Sequence, residues 1–385
     1  MGWNRRLPPV AESPAPLSLA RWLGAGGLAL LIGVMLFLLA ASERVPELKT
    51  VNVWLLCLAP IVLWLLAFAG RAYAYGGALS DQQFLEEEAD VAQRAWSDWA
   101  QRYLSIKACC VVLPEQVSAA ALMQRGSLPP SPPIAKRIAG LPADATERER
   151  AGLQMLIKAL GPALAELPAK ADLRVTLLSD AKPEHHERLE LAWRQAWQGL
   201  AKRPEPARCS VFADFSYGEI EARLKAPDTA MELLLIIQLH GKDGYSDGLA
   251  ALLFCPDAHG EAPSTAAAHV LRPMPLGREK LEDDLSMFLQ TQSLARQAAG
   301  VLTERDACQP TVRTLLALAS THGGELKAEN LWTQSALCGL PGPFTHWLTM
   351  ALGVEMARHR QRPLLLLADE GAQGWIATVA AEVSA

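Results

Sequence analysis

A chain of 385 residues with a net charge of −5 offers no basic face for nucleic acid, which is excluded as the expected partner. Its seven cysteines lack the CxxC or Cys/His spacing of a zinc site. No G-x-G-x-x-G or P-loop supplies a phosphate cradle, so neither metal nor cofactor is expected.

Two uncharged runs, residues 22–41 and 51–70, each match the ~20 residues a helix needs to cross a bilayer. Backbone groups in lipid must be bonded internally, so two such runs joined by a polar turn read as a transmembrane helical hairpin. A signal peptide is the simpler reading of the first run, but its apolar part exceeds the usual length and a second run follows. Arg5, Arg6 and Arg21 precede the first span, Arg44 and Lys49 lie in the turn, and Arg71 follows the second. That bias favours both termini on the cytoplasmic side. Residues 1–21 then form a cytoplasmic tail, 22–70 the membrane hairpin and the remainder a cytoplasmic region. Cysteines in apolar settings, such as Cys57, Cys209, Cys255 and Cys338, suit a reducing compartment.

Residues 71–107 are expected to form an amphipathic stalk helix, clearest over 81–104. Phe84, Val91, Ala95, Trp96, Trp99 and Tyr103 recur at spacings of three and four, opposite Glu86, Glu87, Asp90 and Asp98. Trp96 and Trp99 are candidate binding residues for a protein partner. The plainer alternative, favoured by the general rule for amphipathic faces, is that the stripe packs on its own domain.

From residue 108 to 385 the pattern reads as one layered α/β domain. Prolines 129, 130, 132, 133 and 142 make residues 126–144 a loop. Thr146 and Glu149 match a capping box opening a helix over 146–160. Strands are expected at 108–113, 173–178, 208–212, 232–239, 249–254, 267–271, 363–368 and 374–381. Helices are expected at 184–200, 218–224, 279–299, 328–337 and 344–360. Continuous apolar strands such as LLLIIQL imply a sheet covered on both faces. No internal repeat is visible in the sequence.

The segment TQSALCGLPGPFTHWLTMALGVEM, residues 333–356, resembles the last conserved block of β-ketoacyl synthases and other thiolase-fold enzymes, T-K-S-x-x-G-H-x-x-G-A-A-G. Thr333, Ser335 and Gly342 match, and GYSDGLAALLF at 244–254 is similar to the family's turn into an inner strand. The resemblance implies a thiolase-like head and a homodimer paired along a sheet edge. Two positions depart: the family's lysine is Gln334 and its catalytic histidine is Gly339. Glycine and glutamine cannot stabilise a developing charge as that histidine does. The family's nucleophilic cysteine should open a helix just before the strand at Leu233, where no cysteine stands. His322, followed by two glycines, resembles the family's H-G-T turn but lies too close to Gln334. Cys338 is a displaced candidate thiol.

Gly244, Ser246 and Gly248 also satisfy G-x-S-x-G, the hydrolase nucleophile elbow, with Asp283 or Asp284 and His322 or His346 as formal triad partners. The predicted strand after Ser246, where an elbow needs a helix, argues for a plain turn. The expected function is therefore a non-catalytic, membrane-anchored adaptor. Membrane-anchored degenerate thiolase-like proteins resemble accessory proteins of bacterial type VI secretion, which implies an inner-membrane location and recruitment of a secreted effector. The alternatives are a membrane-tethered acyltransferase, a serine hydrolase using Ser246, or a structural subunit of a membrane complex.

Overall fold

The computed structural model describes residues 2–4, 13–42, 52–125, 134–168, 171–200, 205–206, 208–225, 230–255, 267–371 and 373–382. Residues 43–51, in the expected turn between the two apolar runs, and residues 126–133 of the expected proline-rich loop lie outside the described residues. The chain divides into two compact units, Met1–Trp96 and Ser97–Ala385.

The first unit is built on α1 (Leu19–Ala41) and α2 (Val53–Gln101). Both are long and apolar enough to cross a membrane, with windows of mean hydropathy 2.4. Their apolar side chains face outward: Leu23, Leu31, Leu55, Leu63 and Leu66 are exposed. The two helices touch where side chains are small or hydrogen-bonded. Gly33 lies against the carbonyl of Cys57, and the Trp64 indole donates to the Trp22 carbonyl at 3.1 Å. The second apolar run and the amphipathic stretch are one unbroken helix, with Pro60 inside it. Residues 103–107, expected in that helix, instead begin a strand.

The second unit follows in chain order as β1 (Tyr103–Val112), α3 (Ala119–Arg125), α4 (Ala145–Ala165), β2 (Leu173–Ser179), α5 (His186–Leu200), β3 (Arg208–Phe212), α6 (Gly218–Lys225), β4 (Met231–Gln238) and β5 (Gly248–Cys255). It continues with β6 (Ala268–Leu271), β7 (Met274–Leu276), α7 (Leu281–Thr291), α8 (Ser293–Arg296), β8 (Val301–Thr303), α9 (Gln309–Thr321), β9 (Leu331–Thr333), α10 (Gln334–Cys338), α11 (Thr345–Arg360), β10 (Leu364–Glu370) and β11 (Gln373–Ala381).

The strands make one sheet in the order β3-β2-β4-β5-β1-β6-β11-β10-β8-β9, with β7 added on β11. Outward from the β1–β6 join, the first half runs β1, β5, β4, β2, β3 and the second β6, β11, β10, β8, β9. In both, the first two pairings are antiparallel and the next two parallel. The halves use their strands in the same chain order, and each puts helix between its third and fourth strands. A repeat invisible in the sequence is therefore plain in the topology, because it survives in strand order and not in side chains.

Alternation along the strands covers both faces of the sheet. Leu234 and Ile236 of β4 join Ala250, Leu366, Ala377 and Val379 in a core built around α11, with Ile220 and Leu224 of α6. Leu233, Leu235 and Ile237 point the other way, against α4 and α5 with Trp193 and Trp197. On the far side of the second half, Thr378 donates to Gln292, which follows α7, at 2.7 Å. The layers thus run helix, first half of the sheet, helix, second half of the sheet, helix, the covered α/β arrangement expected from the sequence.

Several local expectations change. The cap of α4 is Asp144, which accepts from the backbone N–H groups of Thr146 and Glu147, so the Thr146/Glu149 box is not formed. Glu149 turns inward instead and is buried. The helix expected over 279–299 breaks at Gln292, whose backbone is extended. Its buried amide donates to the carbonyls of Ala100 and Arg272, and those bonds replace the helix. The helix expected over 328–337 is a short turn, then β9, then α10.

Candidate functional site

Four sequence candidates gather at the end of β4. Ser246, Gln334, Cys338 and Gly339 line one cavity with Gln238 and Thr345. Gln238 holds the place together: its amide donates to the Ser246 carbonyl at 2.8 Å and accepts from the Phe344 N–H at 2.9 Å. Gly342 must be glycine because a Cβ there would sit 2.5–2.6 Å from the Gln238 side chain. The cavity holds about 10 Å³, no more than the space one water needs (~10–15 Å³).

Each candidate is committed to structure. Ser246 is buried; its Oγ accepts from the Lys136 N–H at 3.0 Å and its N–H donates to the Leu340 carbonyl at 2.9 Å. Two residues later β5 begins, so a strand follows where a nucleophile elbow needs a helix. Among the described residues no histidine lines its cavity. Neighbouring Asp247 takes Arg137 at 2.9 Å, the Ile138 N–H at 2.9 Å and the Arg148 guanidinium, which ties residues 134–138 and α4 to the sheet. Burial pushes the Cys338 thiol up to about 12, so it stays protonated at neutral pH. Gln334 is buried and accepts from the Thr349 hydroxyl.

Gly339 has φ +89° and ψ −152°, a region essentially reserved for glycine. A Cβ there would meet the Ile134 carbonyl and stand 2.7 Å from Ser246 Oγ. A histidine does not fit this backbone. His322 is not part of the cluster: it caps α9 and its Nε2 lies 3.0 Å from Ser286 Oγ on α7. Asp283 and Asp284 open α7, and Asp284 accepts from the Gly277 N–H at 2.7 Å.

The resemblance places a nucleophile where α6 opens, ahead of β4. There Ser216 Oγ accepts from the Gly218 N–H at 2.8 Å as a local cap. Around it Phe215, Tyr217, His346 and Trp347 are buried, with Tyr217 5.4 Å from Trp347 and 5.6 Å from His346 between ring centroids. The Phe215 carbonyl takes the Trp347 indole at 2.6 Å and the His346 Nε2 at 2.9 Å. A carbonyl only accepts, so Nε2 is assigned the proton. Burial lowers the His346 pKa, and the ring is held neutral as a donor to backbone. The Tyr217 hydroxyl donates to the His346 carbonyl at 2.8 Å, and its N–H donates to Glu370 at 2.7 Å. Sequence reasoning missed Tyr217, Trp347 and Glu370, because aromatics at helix openings carry no pattern distinct from core.

A charged node lies at the ends of β2 and β4. His240 Nε2 is 2.7 Å from buried Glu149, which also takes Arg188 at 3.2 Å. Asp180 accepts from the N–H groups of Leu239 and His240 and from the Tyr245 hydroxyl at 3.0 Å. The second half repeats the device: Glu304, just after β8, accepts from the Asp369 N–H at 2.9 Å.

The two tryptophans proposed for binding are both engaged. Trp96 is buried with its ring 6.2 Å from Trp3 and its indole donating to the Gly2 carbonyl at 3.3 Å. Trp99 lies under the Arg272 guanidinium, 4.2 Å from the ring centroid. Among the described residues no three His, Cys, Asp or Glu side chains come together as a metal site.

No protein-family model and no curated protein matches the sequence. Solved structures similar to it include the 3-oxoacyl-[acyl-carrier-protein] synthase III of Aquifex aeolicus, at 14% identity and a TM-score of 0.41 over 72% of this chain and 99% of that one. The oxazolomycin ketosynthase domain of Streptomyces albus is similar at 12% identity and a TM-score of 0.46, over 73% and 95% of the two chains. The ishigamide ketosynthase/chain length factor is similar at 11% identity and a TM-score of 0.46, over 73% and 99%.

Proposed function

We propose that the chain is a membrane-anchored, non-catalytic adaptor whose thiolase-like head binds a protein partner and does no chemistry on an acyl group. The observation that carries this reading is the aromatic plug of Phe215, Tyr217, His346 and Trp347 at the opening of α6. Every polar atom there described above is spent on the fold, and the Ser246 cluster beside it has room for one water at most. A reacting carbonyl needs a nucleophile and donors about 3 Å from one shared point, and neither place offers that point.

The reading places the head on the cytoplasmic side of a bacterial inner membrane, and its finer form is recruitment of an effector to a type VI secretion machine. The support for that form is the two-helix anchor joined to a plugged head. In-cell cross-linking followed by mass spectrometry should then recover a secreted spike or toxin. Reactivity tests the broader reading: a fluorophosphonate and iodoacetamide should leave Ser246 and Cys338 unlabelled in the native chain. Labelling that disappears in Ser246→Ala or Cys338→Ala would retire the adaptor and establish a membrane-tethered enzyme.

A further inference from the structure

Residues 134–138, IAKRI, cross the Ser246 cluster outside any helix or strand. The Ile134 carbonyl accepts from the Leu340 N–H at 3.3 Å. The Lys136 N–H donates to Ser246 Oγ at 3.0 Å, and the Lys136 carbonyl accepts from the Asp247 N–H at 2.8 Å. The Ile138 N–H donates to the Asp247 carboxylate at 2.9 Å. Every second residue thus spends its backbone on two walls, residues 246–247 and residues 339–340. Burial alternates in step: Lys136 and Ile138 are buried, whereas Arg137 and Ala139 are exposed. A period of two is that of an extended chain. Extended peptides are recognised in this way, with main-chain bonds for affinity and pockets for alternate side chains for specificity.

Both inward side chains are read. Ile138 joins the core packed on α4 and α5. The Lys136 ammonium pairs with Glu115, a carboxylate that is itself exposed. Gly339 is what admits the strap, since a Cβ there would fall on the Ile134 carbonyl oxygen and 3.2 Å from Lys136 Cγ.

The residue that grips Lys136 is strained. Glu115 and its neighbour Gln116 have φ of +55° and +57°, in the left-handed region that side chains rarely adopt. Such backbone persists only where its surroundings hold it, and it collects at clamps and switches. Releasing Lys136 therefore relaxes the clamp that held it.

We propose that residues 134–138 are a releasable strap, filling from within the chain a slot that takes an extended segment of a partner protein. The strap states the chemistry of that segment: a lysine that reaches Glu115, and an aliphatic side chain two residues further on. The Lys136–Glu115 pair is the latch. The slot would give an adaptor its docking site, but the inference does not rest on that reading, because the exchange of one peptide for another involves no chemistry on an acyl group.

The test uses the full chain in lipid nanodiscs. Amide hydrogen exchange read by mass spectrometry should be ~10-fold or more faster over 134–138 than over β4, because a strap opens locally and the central strand only with the head. Glu115→Gln, a change at an exposed side chain, should speed exchange of the strap ~10-fold and leave β4 as it is. Fluorescein-labelled IAKRIA and IAARIA peptides, added up to ~1 mM, match the effective concentration that a short tether gives the strap. Lys136→Ala weakens the strap and keeps Glu115 for an incoming lysine. That variant should bind IAKRIA saturably and ~10-fold more tightly than IAARIA, whereas Glu115→Gln should not distinguish them. Protection of β4 reports in each variant that the head is folded. Exchange of the strap only together with β4, unchanged exchange in Glu115→Gln, no saturable binding of IAKRIA to Lys136→Ala, or equal binding of the two peptides there would overturn the proposal and leave the strap as fixed structure.

Discussion

The helices α6 and α11 occupy the same slot in the two halves of the sheet, between the third strand and the fourth, and the chain treats them oppositely. α6 has eight residues and alternates charge with apolar side chains, so it buries Ile220 and Leu224 and leaves one flank open. α11 has sixteen residues, and its run from Thr345 to Val354 is buried without interruption. An amphipathic helix can border a groove, whereas a helix apolar all round can only be core. One layout, used twice, therefore gives the first half a surface and the second half the centre around which both halves pack. The aromatic plug is where the two helix openings meet, at the Phe215 carbonyl that takes the Trp347 indole and the His346 Nε2.

The largest break in this comparison should come from the central helix. Trp347→Ala removes a fully buried ring that packs on Phe215 and Tyr217 and donates to the Phe215 carbonyl. A loss of about 3–5 kcal/mol is expected, read as a drop in the urea midpoint of the full chain. Phe212→Ala on the α6 side, where the ring is 42% exposed, should stay within about 0.5 kcal/mol. Comparable losses at the two positions would mean that the open flank of α6 is as much core as α11.

Placing at position 339 the histidine of the ketosynthase motif that this segment resembles should cost about as much and gain nothing. Gly339→His forces a side chain into a glycine-only conformation and against Ser246 Oγ and the Ile134 carbonyl. Backbone strain of ~1–3 kcal/mol adds to overpacking of ~1–3 kcal/mol. The variant should melt early and show no thioester hydrolysis or acyl transfer. Activity appearing in it would show that the centre is dormant and not structurally closed.

Glu232→Gln sharpens the comparison from the α6 side. It removes the charge that pairs Arg223 and leaves that guanidinium partly buried with a weaker acceptor. A loss of about 1–3 kcal/mol is expected, read as a drop in the urea midpoint of the full chain. An unchanged midpoint would mean that the Arg223–Glu232 pair is worth no more than a surface ion pair.

Much of this architecture is legible in the sequence where physics is local. The two long apolar helices declare themselves by length and composition. The buried strands β2, β4, β5, β10 and β11 are visible as apolar runs bounded by turns, and the half-exposed β3 is visible by its alternation. β8 and β9 are not, because three residues such as Val301–Thr303 carry no periodicity and pair only because β10 is already in place. α9 carries a local signal outside the expected elements: Pro310 stands in its first turn, and Val312, Leu315 and Ala319 recur at three and four. The site divides the same way. Nothing near Ser246 in sequence points to residues 334–339; the Gln238 amide and the Gly342 approach bring them together. The plug depends on contacts between residues 215–217 and 346–347, and no single-sequence pattern reports such a pairing.

The smallest expected effect is in pH, where the two halves should again differ in sign. His240, in the first half, faces Glu149, Asp180 and Arg188, and its hydrogen bond to Glu149 raises its pKa despite partial burial. A raised folded pKa adds stability that is complete below the unfolded value (about 6.5) and is lost as pH climbs through the folded one. His346, in the second half, faces Glu370, Asp214 and Arg305 across the Phe215 carbonyl, and burial lowers its pKa. Its contribution is complete above the unfolded value and is lost as pH falls toward the folded one. His240→Gln should therefore cost more at a pH of about 5.5 than at about 8.5, and His346→Gln should show the reverse. Urea midpoints of both variants against the unaltered chain, across that range, give the two slopes. Slopes of the same sign would mean that one imidazole carries the opposite charge state from the one its contacts assign. If that imidazole is His346, a protonated ring at the helix opening would reopen the question of what the aromatic plug is holding.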